Sequence, residues 1–225
     1  MQRHFVQELD ALKTNLIKMG SLAEQAISDA IRALLERQKK LAEQVVAQDQ
    51  QIDSFEVTID DEVVDLLALQ QPVATDLRFI VAASKINNDL ERIGDHAVNI
   101  AESALACSDL PPLKPMVDIT QMAQITKNML RDSIDGFIHN NAAVCKAVLK
   151  NDDIIDDLNK KVVHDVIEIM RENPAKIEQA LEVIRVSRNL ERVADLATNI
   201  AEEVIFMAEA RVVKHHLGDS EVQGS

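Results

Sequence analysis

The chain has 225 residues, 47% of them hydrophobic, with no Trp, no Tyr, five Phe, five Gly and five Pro. That is enough aliphatic side chain for a core and too few turn formers for a many-stranded sheet, so long helices are expected. A formal net charge of −14, from 24 basic and 38 acidic residues, repels nucleic acid and anionic lipid and favours cations and basic protein surfaces as partners.

In chain order, a first helix is expected from about Arg3 to Arg37, because Leu9, Leu12, Leu16, Met19, Ala23, Ala26, Ala30 and Leu34 recur at three- and four-residue spacings. A break near Gln38-Lys39-Lys40 and a short piece to about Gln48 precede a helix from Asp49 to Gln70, with Ile52, Phe55, Ile59, Val63 and Leu66 inward. Pro72 marks a turn, and Thr75 is placed to cap a helix running from Asp76 to about Ala106. Residues 108–115 hold three of the prolines and read as a linker. The plan then repeats: Met116 to about Asn140, a short piece to Lys150, Asp152 to Glu172, and Pro174 to about Leu217, with Asn173 as N-cap. Lys214, His215, His216 and Gly218 suit a helix end, and residues 218–225 read as a disordered tail.

The repetition is visible in the letters. Leu90-Glu91-Arg92-Ile93-Gly94-Asp95-His96-Ala97-Val98-Asn99-Ile100-Ala101-Glu102 returns as Leu190-Glu191-Arg192-Val193-Ala194-Asp195-Leu196-Ala197-Thr198-Asn199-Ile200-Ala201-Glu202. Upstream, Asp49 and Asp53 correspond to Asp152 and Asp156. A repeat of about one hundred residues predicts an all-α fold of two similar three-helix bundles, residues 1–107 and 116–217, packed end to end or side by side.

Acids recur four residues apart, a spacing that stacks side chains along one helix stripe. About a hairpin centred near Pro72, residues whose numbers add to 144 lie level, which sets Asp53 opposite Glu91 and Asp49 opposite Asp95. In the second copy the total is 347, for Asp156 with Glu191 and Asp152 with Asp195. Leu90, Ile93, Ala97, Ile100 and Ala104 form the expected buried seam, leaving the acids on the hairpin flank. Clustered carboxylates raise one another's pKa unless cations compensate them. Arg92 and Arg192 are expected to point elsewhere, so bound metal is the preferred compensation, and all-oxygen ligands suit magnesium, calcium, manganese or iron. Against this stands a plain solvated acidic face, and Asp49 and Asp152 could instead be helix N-caps. His96 is matched by Leu196 and reads as a polar-face histidine.

Catalysis finds little support. No histidine follows a Glu by three residues, as a ferritin-like di-iron site needs, and neither a nucleophile–histidine motif nor a Gly-rich phosphate loop occurs. Cys107 and Cys145 lack metal or redox spacing and are expected as reduced thiols. With no run of eighteen apolar residues and no signal-peptide pattern, a cytoplasmic location is expected. A metal-dependent helical-bundle enzyme and a plain helical scaffold are the alternatives to a binding regulator.

Leu67-Ala68-Leu69-Gln70-Gln71-Pro72-Val73-Ala74-Thr75-Asp76-Leu77-Arg78, Asn88 to His96, and Arg188 to Glu202 resemble the PhoU family of phosphate-specific transport system accessory proteins. The resemblance implies two three-helix bundles and surface metal clusters on Asp49, Asp53, Glu91, Asp95, Asp152, Asp156, Glu191 and Asp195. The ion would be iron, manganese, magnesium or zinc. It also implies a homodimer in the cytoplasm that represses phosphate uptake and the phosphate-starvation response. Its partners would be the phosphate transporter's ATPase subunit and a phosphate-sensing histidine kinase, with the membrane reached only through them. Ala194 and Leu196 depart from the family pattern, so unequal occupancy of the two sites is expected.

Overall fold

The computed structural model describes residues 2–72, 74–110, 113 and 117–210. These form seven α-helices and no strand: α1 (Gln2–Glu36), α2 (Lys39–Gln70), α3 (Ala74–Cys107), α4 (Val117–His139), α5 (Ala142–Leu149), α6 (Asp152–Glu172) and α7 (Ile177–Glu209). The first bundle is α1, α2 and α3; the second is α4, α6 and α7, with α5 packed against α4 and α7.

The aliphatic periodicity of each helix becomes one continuous core. Leu12, Leu16, Met19, Ala23, Ala30 and Leu34 of α1, and Ile52, Ile59, Val63 and Leu66 of α2, are buried, with Leu9, Ala26 and Phe55 packed at the margin. The predicted seam of α3, Leu90 to Ala104, is buried throughout. The bundles lie side by side, and α3 packs against α7 about as extensively as against α1 of its own bundle. That seam runs antiparallel, as three cross-pairs show. Lys85 Nζ reaches both oxygens of Glu203 at 2.9 and 3.0 Å, the His96 ring meets the Asn189 amide at 2.8 Å, and Arg185 donates to Asn99 and Glu102 at 2.9 and 2.7 Å. Beside it a cavity of about 400 Å³ is lined by Lys85, Asp89, Asn199, Glu202 and Glu203.

Several local expectations are corrected. The piece ending near Gln48 is not separate: α2 is continuous from Lys39, so Asp49 sits mid-helix and is no N-cap. In the second copy the chain does break, at Lys150–Asn151, between α5 and α6. The residues explain the difference: Ala47-Gln48 favour helix, whereas Lys150-Asn151 place an asparagine where its side chain competes with the backbone. Thr75 does not cap α3, which starts at Ala74. Asn173 does cap, accepting from the Ala175 N–H at 3.2 Å, in a single 3₁₀ turn, Pro174–Lys176, ahead of α7. Helix α7 stops at Glu209, with Ala210 left-handed, rather than near Leu217. The expected stop signals at 214–218, the 218–225 tail and half of the proline-rich linker, its three prolines included, lie outside the described residues.

Candidate metal centre

Two packing details bring α2 close to α3. Gly94 has no side chain, and a Cβ built there would stand 3.0 Å from Asp49 Oδ1 and 3.0 Å from Ile52 Cδ1. Asn87, buried one stretch earlier on α3, donates to the Glu56 carbonyl and to Asp60 Oδ1, each at 3.0 Å. Both contacts agree with the hairpin register read from Pro72, and they set Asp49 beside Asp95 and Asp53 beside Glu91.

The electrostatics follow from that approach. Asp49 is half-buried, and its carboxyl is pushed from 3.8 up to about 6, first by burial and then by the charges of Asp53 and Asp95. Glu91, also half-buried, is pushed from 4.5 up to about 7 by burial, then by Asp95, Glu56, Asp53 and Asp49. Burial is the largest single cause at each, and the neighbouring charges add to it. Asp53 and Asp95 each act on both Asp49 and Glu91, so the four predicted acids of the first copy lie in one cluster.

Glu56 belongs to it as well and was not singled out from the sequence. Its carboxyl is raised by burial, then by Asp60, Asp53 and Asp95. The duplication hides it, because the second copy has Asn159 at the matching place, where Asn159 accepts a hydrogen bond from Ser187. The available signal was its spacing, one helical turn beyond Asp53 on the same stripe.

The second copy is built differently. Asp152, Asp156, Glu191 and Asp195 are each half-buried at the matching positions of α6 and α7. Contrary to expectation, Arg192 does not point away: its Nη1 donates to Asp195 Oδ2 at 2.8 Å, since a long guanidinium side chain reaches one turn along its own helix. Ala194 adds a buried methyl where Gly94 has none. His96 is also corrected: it lies in the α3–α7 seam against Asn189 rather than on a polar face, and its counterpart Leu196 is buried there.

Among the described residues no three His, Cys, Asp or Glu side chains converge as a ready-made metal cage. The first-copy acids still suit a hard cation. They supply oxygen donors alone, and after burial it is the charges of neighbouring acids, with no basic group opposing them, that raise Asp49 and Glu91. The second copy fits less well, because Arg192 already places a positive charge on Asp195.

Fold and site together define a class: duplicated all-helical proteins carrying a row of carboxylates along each helical hairpin. A family model described as the PhoU domain matches twice, at residues 16–104 and 119–204, one match per bundle. The chain belongs to the PhoU family. It is 41% identical to the phosphate-specific transport system accessory protein PhoU homolog of Aquifex aeolicus, over 93% of this chain and 95% of that one. The Pseudomonas putida homolog of the same name is 37% identical, over 100% of this chain and 90% of its own. The fold superposes on the crystal structure of PhoU from Pseudomonas aeruginosa with a TM-score of 0.90 at 35% identity, covering 92% of this chain and 100% of that one. Against the Streptococcus pneumoniae phosphate transport system regulatory protein PhoU the TM-score is 0.86 at 27% identity, covering 93% and 99%.

Proposed function

We propose that this protein is a non-catalytic regulator of phosphate uptake, coupling a phosphate transporter's ATPase subunit to a phosphate-sensing histidine kinase and repressing the phosphate-starvation response. The observation that carries the reading is near-full-length similarity to relatives named as accessory proteins of phosphate-specific transport. The chemistry agrees: an acidic, aliphatic bundle whose acids lie along a helix flank is suited to docking. No helix among the described residues is long and apolar enough to cross a membrane, which fits a protein that reaches the membrane through its partners in the cytoplasm. A homodimer is part of the same proposal.

Metal binding is the second element. Asp49, Asp53, Glu91 and Asp95, with Glu56 beside them, would hold a hard cation such as iron, manganese or magnesium; Asp152, Asp156, Glu191 and Asp195 would hold one more weakly. When bound, the ion supplies positive charge that lets these carboxylates ionise together. The protein's own part is to hold the acids level, through Gly94 and Asn87, on a rigid hairpin. Chelator-treated protein should take up divalent or trivalent cations, and Asp95→Asn with Asp195→Asn should lower the metal content measured by elemental analysis while helix content stays constant. Unchanged stoichiometry would return the acids to a solvated face.

Deletion of the gene tests the regulatory role. Starvation genes should stay on in phosphate-rich medium and uptake should run unchecked. Normal repression and normal cell phosphate in the deletion strain would rule the assignment out.

A further inference from the structure

At the closed end of the first hairpin, Val64 and Leu67 of α2 stand level with Val81 and Leu77 of α3, on the register fixed by Asn87 and Gly94. Leu67 lies five helical turns along α2 from Asp49, and Leu77 five turns along α3 from Asp95, so both point to the same flank as the acids. The second hairpin repeats the arrangement with Ile167, Met170, Ile177 and Leu181 at the four matching places. Met170 is half-buried; the other seven aliphatic side chains are between 37% and 62% exposed.

Scattered exposed aliphatics need no explanation, whereas a contiguous group does. Here the group occurs twice. All four positions are apolar in both copies, although each has changed identity: Val64 to Ile167, Leu67 to Met170, Leu77 to Ile177, Val81 to Leu181. The surrounding polar residues have changed in charge or polarity, Asp65 and its match Glu168 excepted. Asp60, Asp61, Asp76 and Arg78 around the first patch are replaced by Val163, His164, Lys176 and Glu178 around the second. Water-facing positions under no constraint would have diverged in polarity as that rim has.

We propose that these two hairpin ends are a matched pair of docking patches for one partner protein that presents the same apolar surface twice. The antiparallel seam places them at opposite ends of the molecule. Ile177 falls level with the end of α3, roughly 30 residues from Leu77, so the patches are roughly 45–50 Å apart at 1.5 Å per residue. The first rim sets the partner's charges there: Asp60, Asp61, Asp65 and Asp76 outweigh Arg78 and call for Lys and Arg on the opposing surface, whereas at the second Lys176 and His164 stand against Glu168 and Glu178. A second copy of this chain suits the patches poorly. A patch at each end would propagate chains instead of closing the proposed dimer.

The identity of the probe rests on the proposed function, so the test uses the purified ATPase subunit of the same organism's phosphate transporter and the full-length chain. Leu77→Lys with Val81→Lys spoils the first patch, Ile177→Lys with Leu181→Lys the second; Leu77→Gln and Ile177→Gln serve as gentler versions should the lysines lower helix content. Either pair should weaken apparent affinity at least tenfold, and the combination should abolish binding, as expected when one partner grips two sites. Equal binding by parent and all variants overturns the patches and leaves the accessory role standing. No binding by the parent itself overturns this partner and that part of the proposed function together. A change in self-association by sedimentation, with ATPase binding intact, makes the patches a contact between copies and overturns the proposal.

Discussion

Asp49 and Glu91 carry the clearest consequence at the scale of single residues. Each holds its proton more tightly in the folded chain than in the unfolded one, with carboxyls raised to about 6 and about 7. Their contribution to stability is therefore fully present below about pH 4, where both states are protonated, and is lost as pH climbs through 6 and 7. In chelator-containing buffer, Asp49→Asn combined with Glu91→Gln should melt higher than the parent at pH 8. That advantage should vanish by pH 4. An advantage independent of pH would mean that charge in this cluster is not what the substitutions relieve. The four acids of the first copy were legible as a cluster because the duplication prints them twice at level positions. Glu56 and the Arg192–Asp195 pair were not legible, because each belongs to one copy alone. Burial as the main cause of the raised pKa values was hidden for another reason: the close approach at Gly94 is a property of two helices packed together.

At the scale of elements, the long helices were readable from aliphatic spacing, and most of their C-terminal ends fell within a residue of expectation; the start of α2 and the stop of α7 did not. Arg37 and Asn140, which end α1 and α4, and Gln71 and Ala210, which end α2 and α7, adopt left-handed backbone without being glycine; asparagine takes it readily, and the stop at Ala210 carried no sequence signal. Tertiary contacts hold some of them there. Arg37 donates to the carbonyls of Cys107, Ser108 and Leu110, closing the C-terminus of α3 with a positive charge where the helix dipole favours one. Gln71, exposed at the C-cap of α2 with φ of 48°, makes no such clamp among the hydrogen bonds described. Gln71→Gly should remove the Cβ conflict and stabilise the fold by about 1 kcal/mol, read as a higher denaturation midpoint at constant m-value. A loss of stability would show that the entropy glycine adds to the unfolded chain outweighs the relieved conformation.

The whole molecule depends on the α3–α7 seam, whose polar cross-links were not predicted. Glu203, only 4% exposed, is held by Lys85, whose Nζ also lies 5.9 Å from the centre of the Phe206 ring. Lys85→Ala should cost about 2–3 kcal/mol, toward the low end for a buried pair because the lysine itself is half-exposed. Thermal or chemical unfolding would check this, and a loss under 0.5 kcal/mol would mean that the carboxylate finds equal compensation elsewhere. Which helix of one copy would meet which helix of the other could not be read from the chain. Equivalent sequences allow several pairings, and cross-seam partners such as His96 and Asn189 become visible only once two surfaces meet.

That same seam also bears on ancestry. A near two-fold contact between repeated helices is what remains when two copies of a dimer are joined into one chain. In the present chain the contact is no longer interchangeable. Were α3 to meet another α3 in this register, His96 would face Asp89 in place of Asn189, and Lys85 would find Ser103 where Glu203 now stands. Each half has become selective for the other. Residues 1–110 and 111–225, expressed as separate polypeptides, should therefore recombine as a one-to-one heterodimer in preference to either homodimer. Native mass spectrometry of an equimolar mixture would show it, and a statistical 1:2:1 distribution would mean that fusion preserved the ancestral symmetry after all.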